Sequence, residues 1–184
     1  MRVFHLIPQI LYDAQVKSLL GVTRARMGGD KPDARPHLLV TLLLHTGLKK
    51  GECMSIRLSH IDTSDPNAPV LYIRYEDPRK RMKERKLGLA PDFTETLAKY
   101  LEQYAPRERL FECTARNLEY VLADVAEEVG IKDGISFEAL RMTSAVRDYR
   151  SGMPSDRLRE KLGLSKVTWR EKVKQIKTLA GPAL

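Results

Sequence analysis

The sequence predicts an α+β fold: mostly α, with a small antiparallel unit that is either a β-hairpin or a three-stranded sheet. Three observations carry that expectation. Apolar residues recur at helical spacing in several segments. Only one stretch, VLYIRYE at 70–76, alternates strongly with the two-residue period of a half-buried strand. Between these segments stand Gly, Pro and Ser, at positions that start or stop helices.

Taken in order, Ile10 to Leu20 sets Leu11, Val16, Leu19 and Leu20 on one stripe behind Pro8, which predicts a short amphipathic helix. GVTRARMGGDKPDARP at 21–36 is rich in Gly, Pro and charge and reads as a loop. His37 to Thr46 is nearly all apolar and stops at Gly47, the pattern of a buried central helix with a glycine stop. GLKKGE then turns the chain into a helix from Glu52 to Leu58 that ends near Ile61-Asp62. KERKLGL at 83–89 returns across a very basic link to pair with 70–76. Pro91 and Asp92 open a helix through Tyr104, and Arg116 to Val129 forms another. Ser136 caps a helix whose Arg141 faces inward among apolar neighbours, and Gly152-Met153-Pro154 ends it. Ser155 and Ser165 are expected to be the N-caps of the two helices that finish the chain. There is no internal repeat, and the length fits a single domain over residues 1–184.

Composition narrows the function classes. No stretch approaches the ~20 apolar residues of a membrane span. MRVFHLIPQIL lacks the small-residue cleavage site of a secretion signal, so the cytoplasm is the expected compartment and no membrane partner is expected. Cys53 and Cys113 stand apart from each other and from any His at ligand spacing, so they read as core thiols; neither a disulfide framework, a metal site nor a small-molecule cofactor is expected. The net charge of +8 is unevenly distributed. Residues 72–86 carry seven Lys or Arg against three acids, and residues 147–177 carry ten against four. Two solvated faces and a phosphate-tracking surface both fit that distribution.

Several motifs then coincide. TGLK at 46–49 is followed by Glu52 and by LSHID at 58–62; VLYIRYEDPRKRMKERKLGL forms a strand, basic turn and strand; RLF stands at 109–111; ISFEALRMTSA occupies 135–145; and GMPSDRLREKLGLS occupies 152–165. In this order and spacing, from about Ile10 to Val173, the chain resembles the catalytic domain of the tyrosine recombinases, the phage integrase family. That resemblance implies a domain in which a tyrosine attacks a DNA phosphate within a cage of cations and hydrogen-bond donors. It also implies an amino-terminal core-binding domain that closes on DNA, and this chain starts at about the catalytic domain.

Carried over position by position, the resemblance departs from the family at most of the catalytic groups. The first arginine falls on Lys49, which keeps the charge but not the planar fork that grips two phosphate oxygens. Lys80 matches the leaving-group lysine, with Lys83 a neighbouring candidate, and Arg141 matches the second arginine. The first histidine becomes Glu138, a carboxylate in the first turn of a helix, where the dipole favours an anion. Glu138 and Arg141 lie three apart on one face and are expected to pair. The second histidine becomes Leu164, expected simply to pack, and the nucleophile falls on Val173. No tyrosine follows Tyr149, which reads as a half-buried aromatic, while Ser165 and Thr168 read as caps or surface residues.

The leading expectation is therefore a catalytically silent, recombinase-like pseudoenzyme that holds double-stranded DNA through Lys49, Lys80, Arg81, Lys83, Arg141, Lys166 and Arg170. Its expected role is in DNA recombination or integration, with an active recombinase or a second copy engaged through the carboxyl-terminal helix as further partners. Besides a fold that has lost DNA binding and become a protein-interaction or structural unit, two alternatives remain open at this level. One is an active site-specific recombinase with a non-standard or trans-supplied nucleophile. The other is a helix-turn-helix regulator built on REKLGLSKVTWREKVKQI, with Gly163 at the turn and Lys166, Arg170 and Lys174 on the recognition helix, although Arg159 sits where that motif wants a small residue.

Overall fold

A computed structural model describes residues 9–181. Eight α-helices and one three-stranded sheet follow in the order α1 (Asp13–Ala25), α2 (Arg35–Thr46), α3 (Lys50–Met54), β1 (Ile61–Asp62), β2 (Val70–Ile73), β3 (Arg85–Gly88), α4 (Phe93–Tyr104), α5 (Ala115–Glu128), α6 (Phe137–Arg150), α7 (Ser155–Lys161) and α8 (Lys166–Ala180). Short 3-10 turns at Leu58–His60 and Pro78–Lys83 lead into β1 and β3.

The centre is α2. Ten of its twelve residues are buried, and it packs against α1, α4, α5 and α6. A helix surrounded on all sides must satisfy its own polar groups, and here the Thr41 and Thr46 hydroxyls donate back to the carbonyls of His37 and Leu42. Gly47 takes the left-handed conformation, φ 64°, and its N–H bonds to the Leu43 carbonyl, as the glycine stop predicts. A large apolar cluster joins α2 to Leu71 and Leu87 of the sheet, Phe93 and Leu97 of α4, and Leu118 and Leu122 of α5. A second cluster sits at the far end of α6, where Met142, Ala145 and Val146 meet Leu158, Leu162, Leu164, Trp169 and Ile176.

The sheet is three-stranded and antiparallel in the order β1-β2-β3, with Ile61 opposite Leu71, Leu71 opposite Leu87 and Ile73 opposite Arg85. The strands are shorter than their alternating stretches, because Glu76 to Glu84 is occupied by the basic turn. Ile61-Asp62, expected as the end of a helix, is β1; the expected helix from Glu52 to Leu58 is broken into α3 and a 3-10 turn. The break follows from the Leu58 N–H and the Ile56 carbonyl both bonding to the segment Glu108–Leu110, which pulls residues 56–58 out of helical register.

Two further expectations are corrected. The first helix begins at Asp13 rather than Ile10 and runs on to Ala25, through a stretch expected to be a loop. Leu11 is held outside it by its N–H bond to the Thr143 hydroxyl, 2.9 Å, while Thr23 is buried and fixed to His37 Nδ1 at 2.9 Å. Tertiary contact at both ends therefore shifts the helix past its local composition. Ser155 is not the N-cap of α7: Pro154 holds that position, and the Ser155 hydroxyl accepts from the Trp169 indole N–H at 3.1 Å. Ser136 and Ser165 do cap, accepting from the N–H groups of Ala139 and Thr168. Cys53 is fully buried and Cys113 half-buried. Among the described residues, no helix is long and apolar enough to cross a membrane. The segments MRVFHLIP and the last residues of KTLAGPAL fall outside the described residues.

Candidate functional site

The TGLK turn is built around a carboxylate. Glu52, on α3, accepts from the Lys49 N–H at 3.0 Å, from the Tyr75 hydroxyl, and from both terminal nitrogens of Arg85 at 2.9 and 3.0 Å. The side chains of Glu52 and Arg85 are only 4% and 9% exposed. Burial alone would raise the Glu52 carboxyl, but the Arg85 hydrogen bonds and charge, joined by Tyr75 and the Lys49 N–H, outweigh it and bring the group down to about 2. Tyr75 moves the other way, up to about 12, through burial and its bond to that carboxylate. Arg85 Nε also donates to the Lys161 carbonyl at 2.7 Å, so one guanidinium ties β3 to α3 and to the end of α7. From the sequence alone Glu52 is legible only as a motif residue and Arg85 only as part of a basic strand. The signal was present: Arg85 shares a strand face with the buried Leu87, two residues on.

Arg141 lies beneath the same turn. It is 3% exposed and donates to the carbonyls of Gly47 and Leu162, the latter at 2.9 Å. The expected pair with Glu138 does not form. Glu138, in the first turn of α6, is bonded instead by Lys172 of α8 at 3.1 Å, because α8 packs along α6 and brings an ammonium to that end of it. Burial lowers the Arg141 guanidinium, Glu52 and Glu138 oppose that shift by raising it, and Arg85 lowers it further.

Two hollows flank Lys49. One, about 430 Å3, is lined by Lys49, Lys50, Ser136, Glu138 and Arg141. The other, about 460 Å3, is lined by Lys49, Glu52, His60, Tyr75, Lys80 and Lys83. Lys49 is half-buried, and burial, with Arg141, Lys83 and Arg85 close by, lowers its ammonium against the opposing pull of Glu52. The structure thus gathers Lys49, Glu138 and Arg141 at one hollow and Lys49, Lys80 and Lys83 at the other. Arg81 projects from the basic turn outside both linings, and Lys80, Arg81 and Lys83 are exposed.

Leu164 and Val173 belong elsewhere. Leu164 is buried in the second apolar cluster and Val173 packs half-buried against it, as does Tyr149. The α7–α8 turn passes through Gly163 in the left-handed region, φ 62°, and Lys166 and Arg170 stand exposed on α8 beyond it. Lys174 is engaged by Glu171 at 3.0 Å. Among the described residues there is no cluster of His, Cys, Asp or Glu arranged to hold a metal ion.

Comparison with known proteins follows the same outline. The tyrosine recombinase XerC of Staphylococcus epidermidis is 25% identical over 157 residues, covering 79% of this chain and 50% of that protein; XerC of Staphylococcus carnosus matches to the same extent. The chain therefore spans about half the length of these relatives. In three dimensions the XerA recombinase is similar over 91% of this chain and 65% of its own, at TM-score 0.70 and 21% identity. The catalytic domain of the bacteriophage HP1 integrase is similar over 92% and 88%, at TM-score 0.62 and 19% identity. These structures share the fold. The model of the phage integrase family matches residues 9–169, and on that match the chain belongs to the phage integrase family.

Proposed function

We propose that this chain is a recombinase-type module, acting in DNA recombination or integration, that grips duplex DNA without cutting it. The observation that carries the reading is the state of the attacking position: Val173 packs against the second apolar cluster, beside a buried Leu164, and offers no nucleophile. Glu138 adds a carboxylate, held by Lys172, to the hollow where a phosphate would need cations. By contrast Lys80, Arg81, Lys83, Lys166 and Arg170 are exposed and enter no ion pair among the described residues, the condition for exchanging counterions with a polyanion. Lys49 and Arg141 add charge behind them. Solved structures of similar fold include XerH bound to its difH substrate and the Tn1549 integrase with transposon right end DNA, which supports a duplex as the partner here. Residues 1–184 are read as one such domain, working in the cytoplasm without a cofactor.

The test is incubation with nicked duplex at several salt concentrations, read on native and denaturing gels together. Retention on the native gel that fades with salt, without a denaturant-resistant band, is the expected result. A denaturant-resistant band would reveal a nucleophile and return the chain to the active recombinases. The helix-turn-helix reading draws on the exposed Lys166 and Arg170 beyond Gly163, and it is separated from the leading one by charge reversal, as argued below. Association with an active recombinase or a second copy through the carboxyl-terminal helix remains part of the proposal, read by sizing the complex on DNA.

A further inference from the structure

The basic turn between β2 and β3 carries a side chain that neither the cation arrangement nor the core explains. Met82 is 96% exposed, with Arg81 before it and Lys83 after it. The turn that presents it is well built. Asp77 accepts from the Arg79 N–H at 3.0 Å, the Lys80 N–H bonds to the Asp77 carbonyl at 2.9 Å, and the Glu84 N–H bonds to the Arg81 carbonyl at 3.0 Å. At its base the Glu84 carboxylate accepts from the Tyr75 N–H at 3.0 Å and from Arg74 at 3.2 Å. The tip is therefore a fixed 3-10 turn that holds an uncovered thioether outward among cations.

We propose that Met82 is a wedge that enters the minor groove of bound duplex and partly unstacks a base step. The inference rests on the DNA-binding reading above and adds the contact that reading lacks. An apolar side chain with no neighbours gains nothing in the free protein, and its surface is removed from water only in a complex. The flanking cations select a partner that presents anions beside apolar faces, and a duplex offers both, as phosphate rows and base faces. The minor groove, about 6 Å wide, is too narrow for the two strands of the hairpin but admits a single unbranched side chain projecting from its tip. Cations at Lys80, Arg81 and Lys83 lie on both sides of Met82 in sequence, suited to the two phosphate rows that border that groove. Methionine is unbranched and polarisable, which suits an irregular gap between bases, and insertion of such residues is a known way of bending a duplex.

The test uses the full chain with a short duplex carrying 2-aminopurine at successive positions, at low salt, comparing the native protein with Met82→Ala, Met82→Gln, Met82→Leu and Lys80→Glu. Since Met82 contacts nothing in the fold, the thermal midpoints of its variants should match that of the native protein. The expected result is a fluorescence rise at one or a few positions with the native and Met82→Leu proteins, absent with Met82→Ala and Met82→Gln. Affinity should fall about tenfold for the latter two, the scale of one buried Met side chain, with the slope against salt unchanged because every cation remains. Equal affinity and equal fluorescence in native and Met82→Ala proteins, with binding lost in Lys80→Glu, would overturn the wedge alone and leave the turn as a phosphate contact made by its cations. No retention of duplex by the native protein removes the wedge and the DNA-binding reading together.

Discussion

Glu52 shows what a single side chain contributes here. Four hydrogen bonds converge on a carboxylate that would otherwise be a costly buried charge. Its ordinary value of 4.5 falls to about 2 in the folded chain, so the stabilising contribution is fully present above pH 4.5 and is lost as pH falls toward 2. Urea denaturation across that window should record a loss of about 3 kcal/mol from this group, a contribution that Glu52→Gln removes from the pH slope while lowering stability at neutral pH, because Arg85 is then left buried without its counter-charge. Glu138 is the opposite case, half-exposed and paired to one ammonium. Replacing it by alanine should leave stability nearly unchanged and strengthen duplex binding at low salt by roughly threefold, the scale of one exposed charge interaction; weaker binding on a mobility-shift gel would contradict its placement against the duplex. The caps at Ser136 and Ser165 were legible because a cap depends on the next three residues. The partners of Glu138 and Arg141 were not, since they lie on other elements.

At the scale of elements, α6, the α7–α8 turn and β3 meet at a point where there is no room for a Cβ. A methyl group on Gly163 would lie 2.6 Å from Arg85 Nη1, and the backbone there has φ 62°. Gly163→Ala should cost about 2 kcal/mol or more, since it combines left-handed strain with displacement of a buried ion pair. Gly152→Ala, at φ 85° with nothing within 4 Å, should cost only about 1 kcal/mol. Equal losses for the two in urea titrations would show that Arg85 moves aside freely. Helices α2, α4, α5 and α6 were legible to within a few residues, because their apolar faces recur in phase and their ends carry Gly, Asp or Ser. The break after α3 was not legible: it depends on backbone bonds to Glu108–Leu110, some fifty residues on.

Across the whole molecule the question is whether one ligand spans both basic regions. If a duplex lies over the β2–β3 turn and reaches α8, the double charge reversals Lys80→Glu with Arg81→Glu and Lys166→Glu with Arg170→Glu should each weaken binding and each flatten its salt dependence, by close to one unit of slope per lost phosphate contact. A helix-turn-helix regulator would respond to the α8 pair alone. Titration of both variants against one duplex at two salt concentrations distinguishes these outcomes.

By itself the sequence determined the helical class, the single small sheet, the resemblance to the phage integrase family, and the absence of a tyrosine after Tyr149. All of these rest on residue identity or on periods of a few residues, which are written locally along the chain. Only the tertiary structure decided which charges find each other: Arg85 takes Glu52 from 33 residues away, Lys172 takes Glu138 from 34, and Arg141 spends its donors on carbonyls, one of them 94 residues distant. The reason is electrostatic. A charge, buried like Arg85 and Arg141 or half-exposed like Glu138, binds whichever partner the packed elements bring within hydrogen-bond reach, and that choice is made by the approach of elements rather than by spacing along any one of them.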